Sequence, residues 1–248
     1  MIWQKLKFAP GETKEFSIGS YKLIIIRFQK EWQIGWGENL SGKMEKSDYG
    51  WTYFISEKPE INILPALPDR SLVLKSDHPV RVLPKTSVMN YIRIPVWVQI
   101  YAGMIKPENL VLECPVEDLS STWFGEPDNG ELAYSLPHFA EYAFIQPSLE
   151  PDYAVCPLNI SNESSVILDF QRLLVSVRYL SIFNDGDLLC TNETKVRYKG
   201  EQHNNEVTFV QGKPNLSKNL QHLSSPRDSA TKSIVKKSFS LIKNLSNI

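Results

Sequence analysis

Alanine is scarce in this chain, eight residues in 248. A helical bundle leans on alanine and other strong helix formers, so the shortage argues against one. Cysteine is also rare. Cys114, Cys156 and Cys190 are odd in number and widely spaced, form no Cys-x-x-Cys pair, and have no histidine at ligand spacing. That pattern excludes a zinc ribbon or a disulfide framework, and the three are read as small buried apolar residues. Four histidines, His78, His138, His203 and His222, lie scattered with no Gly-x-Ser-x-Gly elbow near them. No Walker loop and no Gly-x-Gly-x-x-Gly run occurs, so neither nucleotide-binding device is expected. No cofactor and no metal is expected either.

Long hydrophobic runs are missing as well. The longest covers residues 23–26, far too short to cross a bilayer. Residues 1–8 lack the apolar stretch of a secretory signal, and a cytoplasmic location is the expectation. Six Asn-x-Ser/Thr sequons, at Asn39, Asn159, Asn162, Asn192, Asn215 and Asn244, are then chance products of an Asn- and Ser-rich composition.

What the chain has is proline, 16 residues, with Val, Ile, Thr and aromatics filling its apolar segments. These favour strands. The net charge of −1 conceals an asymmetry. Residues 211–248 carry seven Lys and Arg against Asp228 alone, a net of +6, which leaves 20 basic and 27 acidic residues in 1–210, a net of −7. An acidic body does not suit phosphate backbones, and nucleic acid is excluded as its partner.

Alternating segments punctuated by Gly, Pro and Asn predict strands at 16–18, 21–28, 32–36, 51–55 and 60–64, then at 71–75 and 80–83. The longest candidate, 88–101, puts Ile92, Ile94, Val96, Val98 and Ile100 on one face. Pro95 interrupts it, so one bent strand passing between sheets is expected. Residues 173–183 and 188–198 are predicted to pair across Asn184-Asp185-Gly186. Residues 207–210 are expected to close the sheet. The fold class is all-β, an antiparallel sandwich or barrel with a short C-terminal amphipathic helix. The body is read as residues 1–211, as one unit or as two sub-domains of about 1–105 and 106–211.

Residues 117–136 are the most informative. Thr122, Trp123 and Phe124 form one arm of a predicted hairpin and Leu132, Ala133 and Tyr134 the other, with Pro127-Asp128-Asn129-Gly130 supplying turn residues. Five carboxylates, Glu117, Asp118, Glu126, Asp128 and Glu131, crowd a segment that also carries a Trp. Adjacent strand residues point to opposite faces, so of Trp123 and Phe124 one is expected inside and the other outside, with Glu126 and Asp128 exposed. The candidate contact surface is Trp123, Phe124, Glu126, Asp128 and Glu131. Glu126 and Glu131 also raise a glycosidase reading, which needs a cleft holding two carboxylates.

Residues 212–229 read as a flexible linker. In 230–248, Ile234, Val235, Phe239, Leu241, Ile242, Leu245 and Ile248 fall on one half of a helical wheel, with Lys232, Lys236, Lys237 and Lys243 across much of the other. Docking on a protein partner or on the body, and reversible contact with an anionic membrane, are the readings of this tail. Ser233, Ser238 and Ser240 dilute the apolar face and argue against stable insertion.

Ile94-Pro-Val-Trp97, Leu119-Ser-Ser-Thr-Trp-Phe-Gly-Glu-Pro127 and Gly130-Glu-Leu-Ala-Tyr-Ser-Leu136 resemble a prokaryotic group, the domain of unknown function 432 family. The resemblance covers the β-rich body and brings no catalytic residues with it. Its members' occurrence beside small mechanosensitive-channel proteins implies an accessory or interaction role with a partner that is itself membrane-associated. The leading expectation is therefore a non-catalytic interaction module. A carbohydrate-type ligand-binding sandwich is the second reading, and a hydrolase using the hairpin carboxylates the third.

Overall fold

A computed structural model describes residues 2–38, 50–136, 152–186, 188–200, 205–229 and 242–243. The described chain is built of strands, and it separates into two compact units that interleave along the sequence. One comprises Met1–Ala66, Pro95–Asp118 and Glu150–Tyr153, the other Leu67–Ile94, Leu119–Leu149 and Ala154–Ile248. No single cut near residue 105 divides them.

The first unit holds two four-stranded antiparallel sheets. One runs β1 (Gln4–Lys7), β6 (Glu60–Ala66), β9 (Trp97–Ala102), β10 (Leu110–Pro115). The other runs β2 (Thr13–Ile18), β3 (Tyr21–Arg27), β4 (Glu31–Glu38), β5 (Gly50–Ile55). Period-two alternation puts Leu23, Ile25, Trp32 and Ile34 inside the second sheet, each fully buried. Trp32 meets Phe8 edge-on at 5.3 Å, and the buried Arg27 stacks on the Trp32 ring while donating to the Phe8 carbonyl. That guanidinium is tolerated inside because a ring face and a carbonyl receive it. Tyr21 stacks on Trp36 at 5.0 Å and donates to Asp118 Oδ2 at 3.3 Å. Burial first, and then the charges of Asp118 and Glu38, push its hydroxyl up to about 12.

The second unit mixes directions. A five-stranded sheet runs β11 (Ser121–Phe124), β12 (Glu131–Leu136), β7 (Leu72–Val82), β14 (Leu168–Val175), β20 (Ile242–Lys243). A seven-stranded sheet runs β18 (Glu206–Phe209), β17 (Thr194–Tyr198), β13 (Tyr153–Asn162), β16 (Leu189–Thr191), β15 (Ile182–Asn184), β19 (Gln221–Ser224), and β8 (Thr86–Pro95) also pairs with β13. Three pairings, β12 with β7 and β13 with both β16 and β17, are parallel, which corrects the wholly antiparallel expectation.

The long candidate strand divides as expected into β8 and β9, with a break at Val96 directly after Pro95. The Asn184-Asp185-Gly186 hairpin forms over only three residue pairs, Ile182–Asn184 against Leu189–Thr191. Its outer arms pair elsewhere, β14 with β7 and β17 with β18 and β13, because distant strands bury those arms better than each other. Residues 212–229 are not a free linker. Leu220 is buried with Val155, Phe183 and Cys190, β19 pairs with β15, and Asp228 bridges Arg178 at 2.8 Å. Two leucines in a polar stretch, Leu216 and Leu220, supply that anchorage. The expected tail helix lies outside the described residues except at Ile242 and Lys243, which are extended and pair antiparallel with Leu173 and Arg172.

Cys114, Cys156 and Cys190 are free and buried, as expected. Burial raises all three thiols from their ordinary 9.0, Cys156 to about 11 and Cys190 to about 12. A raised folded-state value is a stability present below the unfolded value and lost as pH rises towards the folded one. Stability in urea should therefore fall progressively from about pH 9 upward, with Tyr21 adding to the slope above about pH 10. Tyr21→Phe should flatten its part of that slope. A thiol reagent at pH 8 should label none of the cysteines in native protein and all of them in urea.

Candidate functional site

The 121–136 hairpin forms as expected, with Thr122 opposite Ala133, Trp123 opposite Leu132 and Phe124 opposite Glu131. The pleat then sorts its side chains. Phe124 is 1% exposed and Trp123 47%, and Leu132, directly across from Trp123, is 48% exposed. Glu126, Asp128 and Glu131 are exposed. The site residues thus lie on one element, arranged as an apolar pair at the centre with carboxylates along the turn.

The turn takes its special backbone conformation at its first glycine. No left-handed conformation falls at Asn129 or Gly130; it falls at Gly125, with φ +116°. A Cβ on Gly125 would lie 2.4 Å from the Gly130 Cα, so the two ends of the turn touch through glycine backbone. The Glu126 carbonyl accepts from Asn129 N at 3.2 Å, from Gly130 N at 2.7 Å and from Trp123 Nε1 at 3.2 Å. One oxygen closes the turn and holds the indole down. The indole lies over Gly130, where a Cβ would come within 2.4 Å of Nε1. Trp123 is exposed and yet fixed, which lowers the entropy lost when a partner covers it.

The other side of the hairpin is clamped. Arg172 of β14 donates to the Trp123 carbonyl at 3.0 Å and stacks on the Phe124 ring at 5.3 Å. A depression of about 270 Å³ opens there, lined by Val73, Lys75, Thr122, Ser135 and Arg172. Along β12, Tyr134 donates to Asp69 Oδ1 at 2.9 Å and lies beneath the Arg70 guanidinium at 5.2 Å. Burial and then the Asp69 hydrogen bond raise the Tyr134 hydroxyl. Neither Asp69 nor Arg172 was singled out in the sequence, because they lie 65 and 49 residues along the chain from the hairpin residues they bind, Tyr134 and Trp123.

Glu126 and Glu131 are exposed, and the depression beside the hairpin is lined by neither of them. The enclosed carboxylate pair that glycoside hydrolysis needs is not formed by these two residues. Among the described residues no group of three His, Cys, Asp or Glu converges. Of the other tryptophans, Trp32 and Trp3 are buried and Trp36 is covered by Tyr21. The tail residues Ile234, Val235, Lys236, Lys237, Phe239 and Leu245 lie outside the described residues. No helix among the described residues is long and apolar enough to cross a membrane.

Fold and site together define an all-β protein with an exposed Trp123–Leu132 pair on its 121–136 hairpin. The family model described as "Protein of unknown function (DUF432)" matches residues 2–243, and the chain belongs to that family. No curated protein and no solved structure matches it.

The two aromatic residues should separate by role. Phe124→Ala should cost about 3–5 kcal/mol of unfolding free energy in urea melts, the range for deleting a buried aromatic. Trp123→Ser should cost about 1 kcal/mol or less, as an exposed position with one hydrogen bond does. Gly130→Ala should displace the indole and shift its fluorescence emission while leaving the far-UV spectrum unchanged.

Proposed function

We propose that this protein is a non-catalytic, cytoplasmic interaction or accessory module whose contact surface is the hairpin, with the basic tail as a second one. The observation that carries the reading is the exposed Trp123–Leu132 pair, with the indole bonded to the Glu126 carbonyl and the exposed Glu126 and Asp128 in the adjoining turn. Binding hot spots are dominated by aromatic anchors at the centre of a polar rim. A rigid Trp beside a Leu supplies the anchor. The carboxylates supply a charge that steers a basic partner and rejects an acidic one. Three unpaired thiols in the interior accord with a reducing compartment.

The partner is a protein carrying an apolar pocket flanked by Lys or Arg, which leaves room for one that is itself held at a membrane. Affinity capture from native extract should recover a defined set of proteins with the wild-type chain. Trp123→Ser with Leu132→Ser should lose that set while the urea midpoint stays within the range of surface substitutions. Glu126→Lys with Asp128→Lys should slow association more than it speeds dissociation, because rim charges act mainly on the encounter. Capture unchanged by all four substitutions would overturn the reading.

A further inference from the structure

The outward side of the sheet β2-β3-β4-β5 breaks the polar-out alternation that a half-buried antiparallel sheet normally keeps. On β3 it presents Ile24 and Ile26, on β5 Trp51, Tyr53 and Ile55, and between them on β4 lies Gly35. The inward side is the buried one of Leu23, Ile25, Trp32 and Ile34, so these outward residues are surplus to that core. Tyr53 is 56% exposed and Ile55 81%. Trp51 lies across Gly35, where a Cβ would sit 3.1 Å from the indole, so the ring is held against the sheet and the face stays flat. An open depression of about 750 Å³ continues it past Phe28, Lys30 and Ile55. Apolar patches of this breadth mark interaction sites.

We propose that two copies of this chain pair through this face. The register fixes the operator. Ile24, Gly35 and Trp51 share one cross-strand row, Ile26, Gln33 and Tyr53 the next row on the same side, and Lys22 and Glu31 sit at opposite ends. A twofold axis lying in the face, perpendicular to the strands and level with Ile25, exchanges these rows. It sets Ile24 against the other copy's Ile26, Trp51 against its Tyr53, and Lys22 close to its Glu31. A twofold parallel to the strands and centred on β4 also sets apolar residues together, Trp51 against Ile24 and Tyr53 against Ile26. It places Glu31 against its own copy, however, and leaves Lys22 in a different row from Glu31, so charge selects the first axis. Self-complementarity of this kind is what an isologous contact requires. Two flat β faces also pack at the spacing of a sandwich. A standard interface takes about 800 Å² and 20–30 residues from each partner. This face offers roughly half that number of positions, so the pairing is weak and reversible. It lies in the other unit from the hairpin and does not depend on the reading of that hairpin.

Sedimentation velocity of the full chain over a concentration series tests this. The wild type should shift from monomer to dimer as concentration rises. Tyr53→Lys with Ile55→Lys, both exposed and so compatible with an unchanged melting temperature, should weaken the dimer by at least about tenfold. Lys22→Glu should weaken it, and adding Glu31→Lys should restore it. A wild type that stays monomeric throughout, a dimer that survives the double lysine variant, or a charge exchange that restores nothing each overturns the proposal. So does a monomer whose tryptophan fluorescence titrates with soluble oligosaccharides, which would assign the face to sugar stacking.

Discussion

Pro95 carries no backbone N–H, and the way the chain divides depends on that missing donor. β8 ends there, having run beside β13. Val96 leaves the ladder and donates instead to the Asp152 carbonyl at 2.9 Å, while its own carbonyl accepts from Val116 N at 3.1 Å. β9 resumes at Trp97 between β6 and β10. One apolar alternation therefore serves two sheets: Ile92 and Ile94 are buried before the break, Val98 and Ile100 after it. Proline inside an apolar run is ordinarily a fault; here it marks where one core ends and the next begins.

The same break explains what could and could not be read from sequence. Features set by a few consecutive residues were legible: the bend at Pro95, the 121–134 hairpin, and the opposite facing of Trp123 and Phe124, though not which of the two is inside. Features set by distant partners were not. Residues 173–183 looked like one arm of a hairpin, yet Leu173 and Leu174 pair with Leu74 and Val73 of β7, about a hundred residues earlier. β7 itself read as two strands, because Ser76, Asp77, His78 and Pro79 interrupt its pairing with β14, which jumps from Lys75 to Val80. The parallel pairings leave no local signature at all, since no crossover helix announces them. Leu220 was overlooked for the opposite reason. A few leucines among polar residues make a weak pattern, and only the neighbours of Leu220 in space, Val155, Phe183 and Cys190, give it a role.

Buried polar groups follow the same division. Asn162 is fully buried at the end of β13, and its amide donates to the carbonyls of Val82 and Val166 while its oxygen accepts from Ser164 N and Oγ. A side chain that satisfies four backbone and hydroxyl groups fixes the loop after β13 more firmly than any turn preference. In sequence the residue was visible only as a glycosylation sequon read as chance. Its packing supports that reading, because a buried, fully hydrogen-bonded amide offers no acceptor nitrogen to a glycosyltransferase.

Two exposed apolar surfaces remain, and their physics differs. The hairpin surface is narrow: one indole and one leucine at 47% and 48% exposure, the indole bonded to a carbonyl of the adjoining charged turn. Its area is too small to hold a partner by burial alone, so it selects through an anchor and through electrostatics. The β3–β5 face is wide, flat and nearly uncharged at its centre, with Gly35 flattening the floor and Tyr53 and Ile55 standing in solvent. Burial there is non-directional, and what gives it direction is the order of rows along the strands. An anchor suits a partner of different sequence, which must bring a matching pocket. A flat face suits a copy of itself, because the register that builds one side builds the other. Pleat alternation thus produces both surfaces by one rule: where a strand's outward residues are apolar as well as its inward ones, the second set faces something beyond the sheet's own core.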